Sequence, residues 1–228
     1  MPMLSWASLL AGLVVRLAAA GPVNDTVHAE LSRSSGWRES HRDGQVQVYS
    51  KHLKTVDHTA WMGVVVLPAE VPALRLFQVI GDTERHPSFN NALAESVVVS
   101  TEADVTTFYQ VLDPPAYAPL SDRWWVCRSI NARDVDGTPG HLRRKWSSVP
   151  PGESADLKAR LQARYPGAVE VPYSHGQWDL IPQADGTTRV IYRVVSDPGG
   201  SIPRGLSTRF AGRSVADNIR NMVNEASR

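Results

Sequence analysis

The side chains that could do chemistry in this chain are its histidines, its one cysteine and a dense set of aromatic rings. The seven histidines, His28, His41, His52, His58, His86, His141 and His175, show no metal-ligand spacing and are expected mostly at the surface. Cys127 follows Trp125 and Val126 in a strand-like run, so it reads as a small buried hydrophobe rather than a thiolate nucleophile. No His-Glu-x-x-His, Cys-x-x-Cys, Walker A, dinucleotide glycine fingerprint or nucleophile elbow is present, and no cofactor or metal is expected. Seven Trp and six Tyr point to a core or cavity lined with flat, amphipathic rings. Arg123 could meet a polar ligand group inside such a cavity or sit in a structural ion pair.

Those residues need elements to position them. With 228 residues, 42% of them hydrophobic and 21% charged, the chain can bury one sizeable core. Lys+Arg at 24 nearly balances Asp+Glu at 23, which excludes the broad basic field of a nucleic-acid binder. Strand-like runs cover 37–41, 46–51, 59–67, 97–100, 106–112, 123–131, 142–148, 177–181 and 188–195. Asp43-Gly44, Asp136-Gly137 and Asp185-Gly186 mark turns between them. Helical spacing is read over 23–35, 69–80 and 156–165. The last of these lies in an insertion, 150–166, that reads as a surface feature or a lid. The order predicts one α+β domain over residues 21–228.

Residues 1–20 stand apart. Leu9 to Ala20 is apolar except for Arg16, and Ala18-Ala19-Ala20 before Gly21 fits a small-residue cleavage site. Export would make the protein secreted or periplasmic. An uncleaved anchor or extension, the other reading, leaves it cytoplasmic or membrane-anchored.

The run from Ser196 to Pro203 predicts a sharp reversal from a last strand into a terminal helix, with paired glycines at the turn and Ser201 as cap. In that helix Ile202, Leu206 and Phe210 share one face, while Val215, Ile219, Met222 and Ala226 share the opposite one. Gly212 separates the two stripes, so a kink or break is expected there.

Three segments, in order, carry a family resemblance. Pro119-Leu120-Ser121-Asp122-Arg123-Trp124-Trp125-Val126 resembles the strand signature of START (StAR-related lipid transfer) domains. Gly176 to Pro182 resembles their penultimate strand, and Asp197 to Pro203 their approach to the C-terminal helix, most like phosphatidylcholine transfer members. The resemblance implies a helix-grip fold, a curved antiparallel sheet around a long C-terminal helix that encloses a lipid tunnel. It implies a non-catalytic lipid-binding or transfer protein. The partners implied are one lipid, phospholipid or sterol-like, and a transient membrane surface, with the protein as a monomer.

Carried over by position, the headgroup rings fall on Tyr109 and Trp125, and a third near Tyr173 or Ser174. The phosphate-binding arginine falls near Arg85 or His86, and a nearby acid position holds Asn90. Trp124 stands where the family has an acid after its arginine, which departs from the phosphatidylcholine pattern. Trp146, Trp178 and Tyr192 are further candidates for the tunnel wall, and Leu206 and Phe210 for lid residues that touch ligand. The alternative function is a helix-grip enzyme of aromatase/cyclase or hydrolase type. Tyr109, Arg123, His141 and His175 are its candidate acid–base groups.

Overall fold

Alternation of apolar and polar residues lays down one long curved antiparallel sheet with a distinct inner and outer face. The computed structural model describes residues 22–114, 120–150, 152–200 and 204–228, with side chains except those of 22–25 and 204–210. The expectations for residues 1–20, for Leu206 and Phe210 as lid residues that touch ligand, and for the shared face of Ile202, Leu206 and Phe210, lie outside that description.

The strands are β1 (Arg38–Asp43), β2 (Val46–Leu53), β3 (His58–Leu67), β4 (Leu93–Glu102), β5 (Val105–Leu112), β6 (Arg123–Arg133), β7 (Leu142–Ser148), β8 (Val169–Glu170), β9 (Tyr173–Pro182) and β10 (Thr188–Asp197). They run β1-β2-β3-β10-β9-β7-β6-β5-β4 across the sheet, and the two-residue β8 adds in parallel to the start of β6. The helices are α1 (Pro22–Ser32), α2 (Ala73–Gly81), α3 (Ala155–Arg164) and α4 (Arg204–Ala226). A 3-10 turn over Thr83–Ser88, not foreseen from periodicity, follows α2.

The inner face carries the main core. Val46, Val48, Trp61, Val65, Leu180, Val190 and Tyr192 pack there against Phe77 and Ile80 of α2 and against Val215, Ile219, Met222 and Ala226 of α4. Full burial of a Val, Ile or Met side chain contributes about 1.5–3 kcal/mol, so this stripe by itself holds the C-terminal half of α4 down. The approach is close because Gly63 of β3 lies directly beneath. A Cβ there would overlap Ile219 Cδ1 and come within 2.8 Å of Val215 Cγ1.

The expected break near Gly212 is absent: α4 is one helix from Arg204–Ala226. The glycine serves packing instead. A Cβ at 212 would sit 2.8 Å from His41 Cε1 and 2.9 Å from Trp61 Cζ3, so only a bare Cα lets the helix cross the indole at this height. Close approach of helix to sheet, rather than loss of helical structure, explains the residue.

As far as Gly200 the turn toward α4 is built as expected, while Ser201 as cap lies outside the described residues. Gly199 and Gly200 both have positive φ, +67° and +64°, and Asp197 Oδ1 accepts the Gly199 N–H at 2.9 Å. Gly199 also passes close to β8, where a Cβ would stand 2.6 Å from the Glu170 carbonyl oxygen.

The outer face is covered by α1 and α3. Leu157, Leu161 and Tyr165 of the insertion region pack with Tyr109, Val111, Trp124 and Val126. The insertion is therefore a cover for the back of the sheet, on the side away from the inner face, and not a lid over it. Four of the seven histidines, His28, His86, His141 and His175, are buried, against the expectation of a mostly exposed set.

Candidate functional site on the inner face

Register decides which residues meet. Trp125 pairs with Gln110 across β5 and β6, Cys127 with Phe108, and Ser129 with Trp146 across β6 and β7, so all six share the inner face. Trp146 pairs with Gly176, and Trp178 with Tyr192, which continues the row onto β9 and β10. The rings stack: Trp146 and Tyr192 lie 5.7 Å apart at 19°, and Tyr192 and Trp178 lie 4.4 Å apart at 31°. Gly176 makes room, since any Cβ there would overlap the Trp146 indole. Trp178 and Tyr192 belong to the filled core under α4. Trp125 and Trp146 are only half-buried although they face inward.

Trp125 and Trp146 are each held by a hydrogen bond. Trp125 Nε1 donates to Gln110 Oε1 at 3.2 Å, and Gln110 Nε2 donates to Ser96 Oγ at 3.0 Å and reaches His86 Nδ1 at 3.2 Å. His86 Nε2 lies 3.3 Å from the Val79 carbonyl, which can only accept. The proton is therefore on Nε2 and Nδ1 is the acceptor, a neutral tautomer fixed from both sides. Burial holds the His86 imidazole down at about 4. Trp146 Nε1 donates to Ser174 Oγ at 3.3 Å, and Ser196 Oγ donates to the same oxygen at 2.9 Å. Ser148 and Ser174 close the ladder: the Ser174 N–H donates to Ser148 Oγ at 2.6 Å. Cys127 beside this ladder is fully buried, and its thiol is pushed up to about 12 by burial, which removes it as a nucleophile.

Among the described residues two buried arginines face inward, and both are held by neutral oxygens. Arg123 Nε donates to the Pro198 carbonyl at 3.1 Å and Nη1 to the Ser121 carbonyl. This guanidinium therefore anchors the turn that leads into α4, which is neither of the two roles expected for it. Arg144 donates to Asn131 Oδ1 at 3.0 Å and Thr83 Oγ1 at 3.1 Å, just past the C-terminus of α2. A helix C-terminus offsets such a charge, and burial draws the guanidinium down to about 10.

Other expected site residues lie elsewhere. Tyr109 pairs with Val126, so it points to the outer face while Trp125 points inward; the sheet separates the two rings expected to share a headgroup. Its hydroxyl donates to Glu95 at 3.1 Å, beside Tyr165 and Arg164. Arg85 is half-exposed and pairs with Glu225 of α4 at 2.5 Å, so it joins the 3-10 turn to α4. Asn90 Oδ1 accepts the Ala92 N–H at 3.3 Å in a local turn. Tyr173 and His175 also face outward and stack on each other, whereas Ser174 faces inward.

The four candidate acid–base groups do not converge. His141 Nε2 lies 2.9 Å from Asp179 Oδ1, in an outer-face cluster where Arg143 and Arg193 approach the same carboxylate at 2.5 and 2.7 Å. Burial pushes the Asp179 carboxyl up, but these cations more than offset it and hold it below the usual range. His175 lies under α1, opposite His28 at 6.0 Å, while Tyr109 sits beneath α3 and Arg123 holds the turn.

Gln110, His86, Ser148, Ser174 and Ser196 are inner-face residues that sequence reasoning did not single out for roles there, apart from His86 and Ser174 as alternatives. A signal existed for the serines, since each precedes or follows a strand tryptophan or valine at even spacing. Only pairing across β7, β9 and β10 makes them adjacent.

No family model matches the chain. An uncharacterized protein of Pseudomonas aeruginosa is 27% identical over 175 residues, covering 76% of this chain and 78% of that one. The human StAR-related lipid transfer protein 5 superposes with a TM-score of 0.73 at 14% identity, over 90% of this chain and 92% of that one. The chain has the START fold. A STAR-related lipid transfer protein fragment from Xanthomonas axonopodis superposes on it with a TM-score of 0.67 at 20% identity, over 85% of this chain and 99% of that one. Within that fold, the inner face lies between sheet, α2 and α4, the arrangement expected of a helix grip.

Proposed function

We propose that this protein is a lipid carrier, not an enzyme: it encloses one lipid against the inner face beneath α4. The observation that carries the reading is the inward-facing strip of Trp125, Trp146 and the hydroxyl ladder, which is half-buried and polar only where its own bonds require. An apolar wall with a few placed polar groups is what a lipid needs. The fold shared with proteins described as lipid transfer proteins supports the same reading. Each methylene removed from water contributes about 0.8 kcal/mol, so acyl or ring carbons bind tightly without covalent chemistry. In this proposal the protein works as a monomer, meets a membrane surface transiently, and closes over its lipid. Native mass spectrometry of the purified protein tests it. One lipid per chain, retained or taken up from vesicles, is expected. A chain that stays empty after incubation with mixed vesicles overturns the proposal.

A further inference from the structure

The inner and outer faces differ in how their polar atoms are satisfied. The buried side-chain atoms without partners among the described residues include His28 Nδ1, Trp124 Nε1, Tyr173 Oη, His175 Nδ1 and Arg193 Nε, all on the outer face; Ser154 Oγ lies at the start of α3. Among the described residues of the inner face, the donors around the half-buried strip are engaged. The indole N–H groups of Trp125 and Trp146, the two half-buried tryptophans of the strip, are taken by Gln110 and Ser174. Arg123 grips two main-chain carbonyls, and Arg144 holds Asn131 and Thr83 at the end of α2. A phosphate or carboxylate would have to pull one of these guanidiniums off the turn or the helix it secures. What the inner face does offer is hydroxyl chemistry. Ser196 Oγ is half-buried and donates to Ser174, and among the described residues no donor reaches it. It can accept one hydrogen bond from a ligand without breaking the ladder.

Resting on the lipid-carrier reading above, we infer that the ligand is a neutral lipid whose polar end is a single hydroxyl, received by Ser196 at the serine ladder, and not a lipid with a charged headgroup. A site that completes a buried hydrogen bond discriminates strongly against an analogue that lacks the partner. The ring faces of Trp125 and Trp146, their N–H edges turned away into protein bonds, then meet the carbon skeleton.

The test uses the full chain and vesicles of phosphatidylcholine containing phosphatidylglycerol, diacylglycerol and cholesterol in equal amounts. After re-isolation, bound lipid is identified by mass spectrometry. Enrichment of diacylglycerol or cholesterol at least tenfold over both phospholipids is expected. Preferential uptake of either phospholipid overturns this inference and leaves the carrier reading standing, whereas no uptake at all overturns the carrier reading. The Ser196→Ala variant, checked for an unchanged melting temperature, is then offered diacylglycerol and its methyl ether. Wild type is expected to prefer the alcohol roughly tenfold, and the variant to lose that preference. A variant that keeps it removes Ser196 from the role. Should Ser196→Ala fold poorly, Ser196→Thr keeps the hydroxyl and is expected to keep the preference; its loss there, in a chain that melts normally, counts against the assignment.

Discussion

Arg123 Nε donates to the carbonyl oxygen of Pro198 at 3.1 Å, which ties the first residue of β6 to the turn from which α4 departs. The two residues lie far apart in sequence, and β8 wedged beside Gly199 completes the clamp. The orientation of α4 over the inner face is thus set by a guanidinium that sequence reasoning assigned to a ligand or an acid.

Replacing Arg123 by Met should therefore lower stability. Hydrogen bonds from a charged donor are worth about 1.5–3 kcal/mol each, and two carbonyls lose their partner, so a loss of about 3 kcal/mol is expected. Urea unfolding measures it. An unchanged midpoint combined with abolished lipid binding would instead make Arg123 a ligand group.

Gly63→Ala should cost about 1–3 kcal/mol, because the added methyl overlaps Ile219 Cδ1 and crowds Val215. Ile219→Val removes the overlapped carbon. The double variant should be more stable than the sum of the single losses predicts, by more than about 0.5 kcal/mol in a double-mutant cycle. Strict additivity would mean that α4 does not rest on Gly63.

Gly212→Ala separates close approach from a helix break. In an open helix the change stabilises by about 1 kcal/mol. Here the new carbon meets Trp61 and His41, so thermal melting should show a lower midpoint than wild type. A raised midpoint would contradict the packing role.

Mild acid should destabilise the fold through its buried histidines. His28, His86 and His175 are each held down at about 4, chiefly by burial, against an ordinary 6.5. Between about pH 6.5 and 4 the unfolded chain binds protons that the folded chain refuses, so stability is full above the window and falls as pH drops through it. Each histidine contributes up to about 3 kcal/mol of this loss. Urea midpoints at pH 7.5 and pH 5 measure the effect, and His175→Gln should flatten the slope; a midpoint independent of pH would show that the rings protonate in place.

Much of the architecture is legible from local pattern. The Asp43-Gly44 hairpin, the apolar and β-branched run of β3, the strand-like runs of β5, β6 and β10, and the paired glycines of the last turn are short-range signals that tertiary contacts did not override. The buried stripe of Val215, Ile219, Met222 and Ala226 was readable for the same reason. The site was less legible. Alternation along β6 correctly separates Trp124 from Trp125, but it says nothing about which face of β5 is in register with either.

The sequence by itself determined the strand and helix order, the reversal at Gly199-Gly200 and the apolar face by which α4 must dock, because these depend on neighbours a few residues apart. Only the tertiary structure decided that Tyr109 and Trp125 lie on opposite sides of one sheet. It also decided that Gly212 opens space rather than breaking a helix, and that Arg123 holds Pro198. Register and close approach arise between segments distant in the chain, and a two-residue period leaves the face undefined until the partner strand is in place.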